Sequence, residues 1–126
     1  MHTIIFLTIE EVLLMHECQI RLFGGHTGIR EKGLLESALA LPLSTFGGSY
    51  LCQDIYEMAA SYMFHIIKNH PFIDGNKRMG VIVSLTFLKR NNIPLIWSNE
   101  EIFTVAKGVA ESVISKNDLI DFFKKG

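Results

Sequence analysis

Apolar residues recur at helical spacing along most of the chain, and short polar or glycine-rich breaks separate the helical stretches. Thr8 and Glu11 form a T-x-x-E capping box, and the apolar positions after it predict a helix that the glycine pair at 24–25 ends. A glycine-rich loop follows. The segment LLESALAL then predicts a second helix, which stops at Pro42 because proline cannot continue a helix.

The middle of the chain predicts two further helices joined by a short polar loop. Residues 55–66 carry apolar side chains on one face, and their helix should end near Asn69 because Pro71 disfavours helical geometry at the residue before it. From about residue 77 to residue 90 the apolar side chains surround the helix axis. This pattern is typical of a helix buried on most sides, so we expect the 77–90 helix at the centre of the bundle.

The last third of the chain predicts two more helices. Ser98 and Glu101 form a second capping box, and apolar residues at helical spacing follow it. Ser115 or Asn117 caps a final helix. Together the helical stretches indicate an all-α fold of roughly six helices.

Two short apolar segments lie outside these helices. IIFLT, at residues 4–8, predicts a short strand or an extended lead-in, and LIW, at residues 95–97, predicts an extended piece that pairs with residues 4–7. No linker, repeat or low-complexity segment interrupts the 126 residues. We therefore expect a single domain spanning residues 1–126, with a short extended segment near its N-terminus.

Composition and charge exclude several classes of protein. Hydrophobic residues make up 48% of the chain, which excludes a disordered protein, and a net charge of −1 gives no basic surface for general nucleic-acid binding. The N-terminal apolar run is too short for a signal sequence or a membrane span. Cys18 and Cys52 form no CxxC pair. We expect a cytoplasmic protein that contacts neither membrane nor nucleic acid.

Most of the polar chemistry lies in KNHPFIDGNKRMG, residues 68–80, between two apolar helices. The loop leads into a helix N-terminus, where unpaired N–H groups and a partial positive charge attract anions. Gly75 permits a sharp turn and a close approach to a ligand, and Asn76 can cap the helix. Lys77 and Arg78 add two cations that oppose the helix dipole unless an anion lies nearby. These residues predict a phosphate-binding pocket.

The rest of the loop supplies acid–base and metal-binding groups. His70 lies at the mouth of the loop, where it can accept a proton from an incoming hydroxyl. Asp74 is either the partner of an ion pair or an oxygen ligand for Mg²⁺, which binds through one or two carboxylates together with phosphates and water. Phe72 or Ile73 anchors the loop to the core. A base, a metal ligand and a phosphate-binding site together predict transfer of a phosphoryl or nucleotidyl group from a nucleotide to a hydroxyl.

The segment HPFIDGNKR resembles the motif of the Fic/Doc (Fido) family, H-x-F-x-[D/E]-[G/A]-N-[G/K]-R. FLTIEEVLLMHE and FGGHTGIREKGLLESAL precede it in the order typical of the death-on-curing (Doc) branch. The resemblance implies a helical bundle with the motif loop between two central helices. It also implies a role for each matching residue: His70 as general base, Asp74 as Mg²⁺ ligand, Asn76 and Arg78 with the amides around Gly75 as the phosphate site, and Phe72 as the buried anchor.

The family contains two chemistries, and the motif combines features of both. Gly75 is the residue that AMP-transferring members carry, whereas Lys77 matches the Doc branch, and a lysine there crowds the AMP-transfer orientation of the nucleotide. AMP-transferring members often have a second arginine where this chain has Val81. The resemblance thus favours an ATP- and Mg²⁺-dependent protein kinase acting on a serine or threonine hydroxyl, with Lys77 in the phosphate clamp. AMP transfer is the alternative.

The Doc resemblance also implies a biological role and a partner. Doc members are toxins of toxin–antitoxin pairs that phosphorylate elongation factor Tu and so block translation. The best match to the family's inhibitory helix motif, residues 27–31, lacks its last residue and lies in the glycine-rich loop, so we infer no built-in inhibitor. Control by a small antitoxin with a DNA-binding domain would take its place. A catalytically silent module that binds the antitoxin is the third hypothesis.

Each candidate residue also has a plainer interpretation. His70 could cap the preceding helix, and Asp74 could form a structural ion pair with Arg78. His16 lies on an apolar helical face, where a histidine is more often a core residue than a functional one. His26 and Arg30, in the glycine-rich loop, are more often surface residues than parts of a site.

Overall fold

Six α-helices and one short hairpin form the part of the chain that the computed structural model describes, residues 3–125. The elements are α1 (Ile9–Phe23), α2 (Lys32–Ala40), a 3-10 turn (Leu41–Leu43), β1 (Thr45–Phe46), β2 (Ser49–Tyr50), α3 (Ile55–Asn69), α4 (Asn76–Arg90), α5 (Asn99–Ala110) and α6 (Lys116–Lys125). The prediction of an all-α bundle of about six helices is confirmed. The antiparallel hairpin β1–β2, between the 3-10 turn and α3, was not predicted.

Local capping explains most of the helix ends. In α1 the N–H of Glu11 donates to the Thr8 hydroxyl at 3.2 Å, and the Thr8 N–H donates to the Glu11 carboxylate at 2.9 Å, which is a capping box. The helix ends at Gly24, whose φ is 84°. Ser98 and Glu101 form the second capping box, at the start of α5. The hydroxyl of Ser115 accepts from the Asp118 N–H at 3.1 Å, so Ser115 is the cap of α6.

The core lies around α3 and α4, which the polar loop of residues 70–75 joins. α3 contacts α2, α4, α5 and α6, whereas α4 contacts α1, α3 and α5. α3 is therefore at least as central as α4. The largest fully buried side chains come from several elements and include Tyr62, Phe72, Phe87, Phe123, Leu35 and Met58. Burial of apolar surface of this extent is the main force that holds the loop between the two helices.

The predicted pairing of residues 4–7 with residues 95–97 is wrong, because neither segment forms a strand. The side chain of Asn91 takes the place of a partner strand: its Oδ1 accepts from the Ile5 N–H and its Nδ2 donates to the Ile5 carbonyl, both at 2.9 Å. Asn91 follows α4 directly, so it ties the extended N-terminal segment to the end of that helix. Within residues 3–125, no helix is long and apolar enough to cross a membrane.

Gly80, in α4, lies so close to α3 that a side chain there would have little room. A Cβ there would lie 2.8 Å from Ile67 Cγ1 and 3.2 Å from the Met63 carbonyl oxygen, and the backbone atom cannot rotate away. We expect Gly80→Ala to lower the free energy of unfolding by about 1–3 kcal/mol, because overpacking outweighs the gain in helix propensity. Urea denaturation of the two proteins measures this difference.

Gly33 provides the matched control for Gly80. It also lies in a helix, α2, but a Cβ at Gly33 would meet no heavy atom within 4 Å. Gly33→Ala should therefore leave the stability unchanged or raise it by up to about 1 kcal/mol, as helix propensity alone predicts. If both substitutions stabilised the protein, the close contact between α3 and α4 would not constrain residue 80.

Candidate active site

His70 occupies the first position after α3 and has an unusual backbone conformation. Its φ and ψ are 52° and 54°, in the left-handed region, and its N–H donates to the Ile66 carbonyl at 3.2 Å. The side chain is exposed and lines a cleft. A left-handed conformation costs a residue other than glycine about 1–3 kcal/mol and persists only where the surroundings enforce it. The helix ends at Asn69, as predicted from Pro71.

Phe72 and Asn76 hold the loop in shape. Phe72 is fully buried, and its backbone forms two hydrogen bonds with the Asn76 side chain: its N–H donates to Oδ1 and its carbonyl accepts from Nδ2, both at 2.9 Å. Asn76 is the first residue of α4, and Gly75 occupies the cap position. The prediction that Asn76 caps α4 is thus wrong, because its amide turns back to the loop. The amide keeps one N–H and one lone pair for another partner.

The N-terminus of α4 has the properties of an anion site. Gly75, with φ of 81°, makes the turn into the helix, and no side chain caps the helix start among the described residues. The first helical hydrogen bond runs from the Met79 N–H to the Gly75 carbonyl at 2.9 Å. The N–H groups of residues 76–78 therefore precede the helical ladder and carry the positive end of the helix dipole. Such a terminus binds phosphate groups well.

Asp74 points its carboxylate at backbone N–H groups. Oδ1 accepts from the Gly75 N–H at 2.9 Å, and Oδ2 accepts from the His26 N–H at 3.2 Å. These bonds, that of His26 first, hold the pKa of Asp74 below its ordinary value of 3.8, so the side chain is ionised at neutral pH. A Cβ at Gly25 would lie 2.7 Å from Oδ2. Only glycine at position 25 leaves room for this carboxylate position.

The residues present fit a Mg²⁺ ion that binds together with a nucleotide. The described residues contain no group of three or more histidine, cysteine or acidic side chains that could hold a metal alone. Asp74 is ionised and lines the cleft beside the anion site. Mg²⁺ is commonly bound by one or two carboxylates and completed by phosphates and water, so a single carboxylate at this position suffices.

His16, from α1, is buried against the polar loop and contacts both its backbone and Phe72. It is 3% exposed, its Nε2 donates to the Asp74 carbonyl at 2.8 Å, and its ring stacks on Phe72 with centroids 3.9 Å apart. Because a carbonyl oxygen can only accept, the ring carries a proton on Nε2. His16 is buried, as the interpretation of it as a core histidine predicted. Its partner, however, is the backbone of the loop that carries the candidate metal ligand.

Arg30 contacts the same loop from the glycine-rich segment. Its Nε donates to the His70 carbonyl at 2.7 Å and its Nη2 donates to the Asn69 carbonyl at 2.9 Å. Its backbone N–H donates to the Pro71 carbonyl at 2.7 Å. Arg30 is thus a surface residue of the loop, as interpreted, with its side chain about half exposed, but its guanidinium is hydrogen-bonded to the end of α3.

These groups surround a cleft of about 870 Å³ between α1, α4 and α5. Its lining includes His70, Asp74 and the first residues of α4 on one side, and Phe103 and Lys107 of α5 on the other. The described lining residues comprise one carboxylate, that of Asp74, and four full cations: Lys68, Lys77, Arg78 and Lys107. This excess of positive charge favours an anionic ligand, and the volume is sufficient for a nucleotide.

Comparison with known proteins identifies the family of this chain. A family model described as "Fic/DOC family" matches residues 6–88, which include α1, the glycine-rich loop, α3, the polar loop and most of α4. The chain belongs to the Fic/DOC family. It is 26% identical to "Protein kinase doc" of Escherichia phage P1 over 116 residues, 92% of this chain and 90% of that protein. It is 36% identical to "Toxin Doc" of Mycolicibacterium smegmatis over 73 residues, 58% of this chain and 56% of that protein. These relatives indicate the death-on-curing branch of the family.

Three further residues that the family motifs single out in this Fic/DOC protein are Val81, Arg78 and Glu31. Val81 is 2% exposed and belongs to the core, so that position adds nothing to the cleft. The guanidinium of Arg78 lies 4.6 Å above the centroid of the Phe23 ring, a cation–π contact that orients it. Glu31 lies 3.9 Å from Arg30 in a weak surface ion pair.

The sequence did not reveal every residue of the Fic/DOC cleft. Lys68 lies two residues before the motif and Lys107 lies in α5, and neither belongs to the nine-residue pattern. Phe103 of α5 also lies outside the motif, and it lines the cleft and is 41% exposed. Only the tertiary contact of α5 with α4 brings Phe103 and Lys107 to the site.

Proposed function

We propose that this protein is an ATP- and Mg²⁺-dependent phosphotransferase that modifies a serine or threonine hydroxyl of another protein. One observation carries the proposal: His70, Asp74 and the uncapped N-terminus of α4 line the same cationic cleft. A base, a metal ligand and a phosphate site are the groups that phosphoryl transfer requires. The relative named "Protein kinase doc", which aligns with 92% of the chain, supports the same activity.

The proposed reaction assigns a task to each residue. The imidazole of His70 accepts the proton of the acceptor hydroxyl, the hydroxyl oxygen bonds to the γ-phosphorus, and the bond from that phosphorus to the β–γ bridging oxygen breaks, so that ADP leaves. The amides of residues 76–78, with the Arg78 and Lys77 cations, stabilise the charge on the phosphates. Asp74 would hold Mg²⁺, which would supply positive charge to neutralise the phosphates. Asn76 can contact a phosphate through its remaining N–H.

The biological role that fits this activity is that of a toxin in a toxin–antitoxin module. The relative named "Toxin Doc" supports it. By family resemblance, the target is elongation factor Tu, and phosphorylation of that target would block translation. The same resemblance implies a small antitoxin with a DNA-binding domain as the partner that silences the protein.

AMP transfer is the competing function of the same cleft. Gly75 is consistent with AMP transfer, because the AMP-transferring members of the family carry glycine there. Two features favour phosphoryl transfer. Lys77 is exposed at the start of α4, where, by family resemblance, a lysine would crowd the AMP-transfer orientation, and Val81 is buried where AMP transferases often have an arginine. The identity of the transferred group is therefore the decisive measurement.

We expect label from γ-³²P-ATP, and none from α-³²P-ATP, to appear on a protein of a nucleotide-depleted bacterial extract incubated with the purified protein and Mg²⁺. The reason is that, by family resemblance, Lys77 would crowd the nucleotide orientation that AMP transfer needs. Chelation of Mg²⁺ with EDTA should abolish labelling. Gel autoradiography, followed by mass spectrometry of the labelled band, identifies the acceptor residue.

The outcomes separate the three hypotheses. Label from the α-phosphate alone would replace kinase activity with AMP transfer and would mean that Lys77 does not exclude that orientation. No label from either nucleotide, with purified elongation factor Tu also tested as acceptor, would favour the silent antitoxin-binding module. A His70→Asn protein is the control for the reaction, because background kinases of the extract would label equally in its presence.

A further inference from the structure

We propose that Arg30 is a positioning residue for His70, holding the backbone from which the candidate base projects into the cleft. The proposal rests on the phosphotransferase function above. Arg30 lies outside the nine-residue motif, in the segment between α1 and α2. It acts through main-chain atoms, with no contact to the reacting groups required of it.

The first step of the argument concerns the end of α3. The last carbonyls of a helix have no helical donor, and Pro71, just after the helix, contributes no N–H. The Arg30 guanidinium meets this need, because its Nε and Nη2 donate to the carbonyls of His70 and Asn69 at 2.7 and 2.9 Å. These distances are typical of charge-assisted hydrogen bonds. The cation also lies at the negative end of the α3 dipole, where it is favourable.

The second step concerns Arg30 itself, which is held in place by its own backbone. The N–H groups of Arg30 and Glu31 both donate to the Pro71 carbonyl, at 2.7 and 3.1 Å. The Ile73 N–H donates to the Gly28 carbonyl at 3.2 Å. Backbone and side chain of the 28–31 segment thus hold residues 69–73 together. A left-handed histidine needs surroundings of this kind to keep its conformation.

The third step is that different hydrogen bonds hold the candidate base and the proposed nucleotide site. The Asp74 carboxylate is held by the His26 and Gly75 N–H groups, and Asn76 is held by Phe72. None of these hydrogen bonds involves the Arg30 guanidinium. Loss of that guanidinium should therefore move His70 and leave the phosphate site in place. The expected signature is a lower kcat with little change in the KM for ATP.

The experiment compares Arg30→Ala, Arg30→Lys and wild type in the γ-labelling reaction, at a temperature where all are folded. We expect the kcat of Arg30→Ala to fall roughly 10²-fold, since a displacement of about 1 Å at a reacting group has an effect of this size. The KM for ATP should change less than about threefold, because the bonds that hold the phosphate site remain. Arg30→Lys should be intermediate, since an ammonium lacks the planar fork that binds two carbonyls at once.

Arg21→Ala is the matched control, since Arg21 is an exposed arginine near the end of α1 that lies outside the cleft lining. Its kcat should equal that of wild type. A second test combines Arg30→Ala with His70→Asn: if Arg30 acts through His70, the double variant should be no slower than His70→Asn alone. A merely structural role would slow the double variant further and would raise the KM for ATP.

The outcomes distinguish this proposal from the function on which it rests. If wild type transfers label and Arg30→Ala keeps more than half of its kcat, the positioning role of Arg30 is overturned and the proposed function stands. An additive double variant would overturn it as well. If wild type transfers no label to any acceptor, the proposed function fails and the assignment of Arg30 fails with it.

Discussion

Replacing His70 should reduce phosphoryl transfer by about 10²–10⁴-fold, because that is the range in which a positioned general base contributes. ATP binding should change little, since the proposed phosphate site lies at the start of α4 and does not include His70. The measurement is the rate of γ-label transfer to the acceptor, together with ATP affinity from calorimetry on the same variant. Expression of the variant in cells should no longer arrest growth.

The choice of substituent at position 70 decides how clean this test is. The left-handed φ of 52° disfavours alanine, whereas asparagine adopts this region more readily than most residues and cannot act as a base at neutral pH. His70→Asn is therefore the preferred variant, and circular dichroism verifies its fold. Growth arrest that persists unchanged with a folded His70→Asn protein would contradict both enzymatic hypotheses. Loss of arrest would contradict the silent binding module.

The fold was predictable from the sequence wherever the signal was local. The capping boxes at Thr8 and Ser98 are contained within four residues each, and Pro71 acts on its immediate neighbour. The failed pairing of residues 4–7 with residues 95–97 depended on a distant partner, and the Asn91 side chain took that role instead. Side-chain hydrogen bonds to distant backbone leave no periodic pattern, so sequence reasoning did not detect this one.

The candidate site also consists of a part that local sequence predicts and a part that depends on distant contacts. Its central groups lie within nine consecutive residues, so the motif could be recognised as a unit. The supporting groups come from elsewhere: His16 from α1, Arg30 from the loop after it, and Lys107 from α5. The sequence predicted the glycine-rich loop, but it did not predict that Gly25 leaves room for the Asp74 carboxylate. Only the tertiary fold brings these parts together.

Phe72→Ala should produce the largest loss of stability that we predict, about 3–5 kcal/mol in the free energy of unfolding. The ring is fully buried, and its removal leaves a cavity and takes away the surface on which the His16 ring stacks at 3.9 Å. His16 in turn donates to the Asp74 carbonyl at 2.8 Å, so the loss reaches the loop as well as the core. Urea denaturation at equilibrium measures the change.

Phe46→Ala is the control for Phe72→Ala, because the Phe46 side chain is 82% exposed on the hairpin and its removal should change stability by less than about 0.5 kcal/mol. A loss below about 1 kcal/mol for Phe72→Ala would contradict its role as the anchor of the loop, since a buried phenylalanine normally contributes several times more.

Phe72→Leu distinguishes the two contributions of the Phe72 ring, which fills the core and stacks on His16. Leucine fills much of the cavity but offers no flat face to His16, so its stability should lie between those of wild type and Phe72→Ala. If transfer falls further than stability in Phe72→Leu, the stacked pair of His16 and Phe72 contributes to the position of Asp74 as well as to the core.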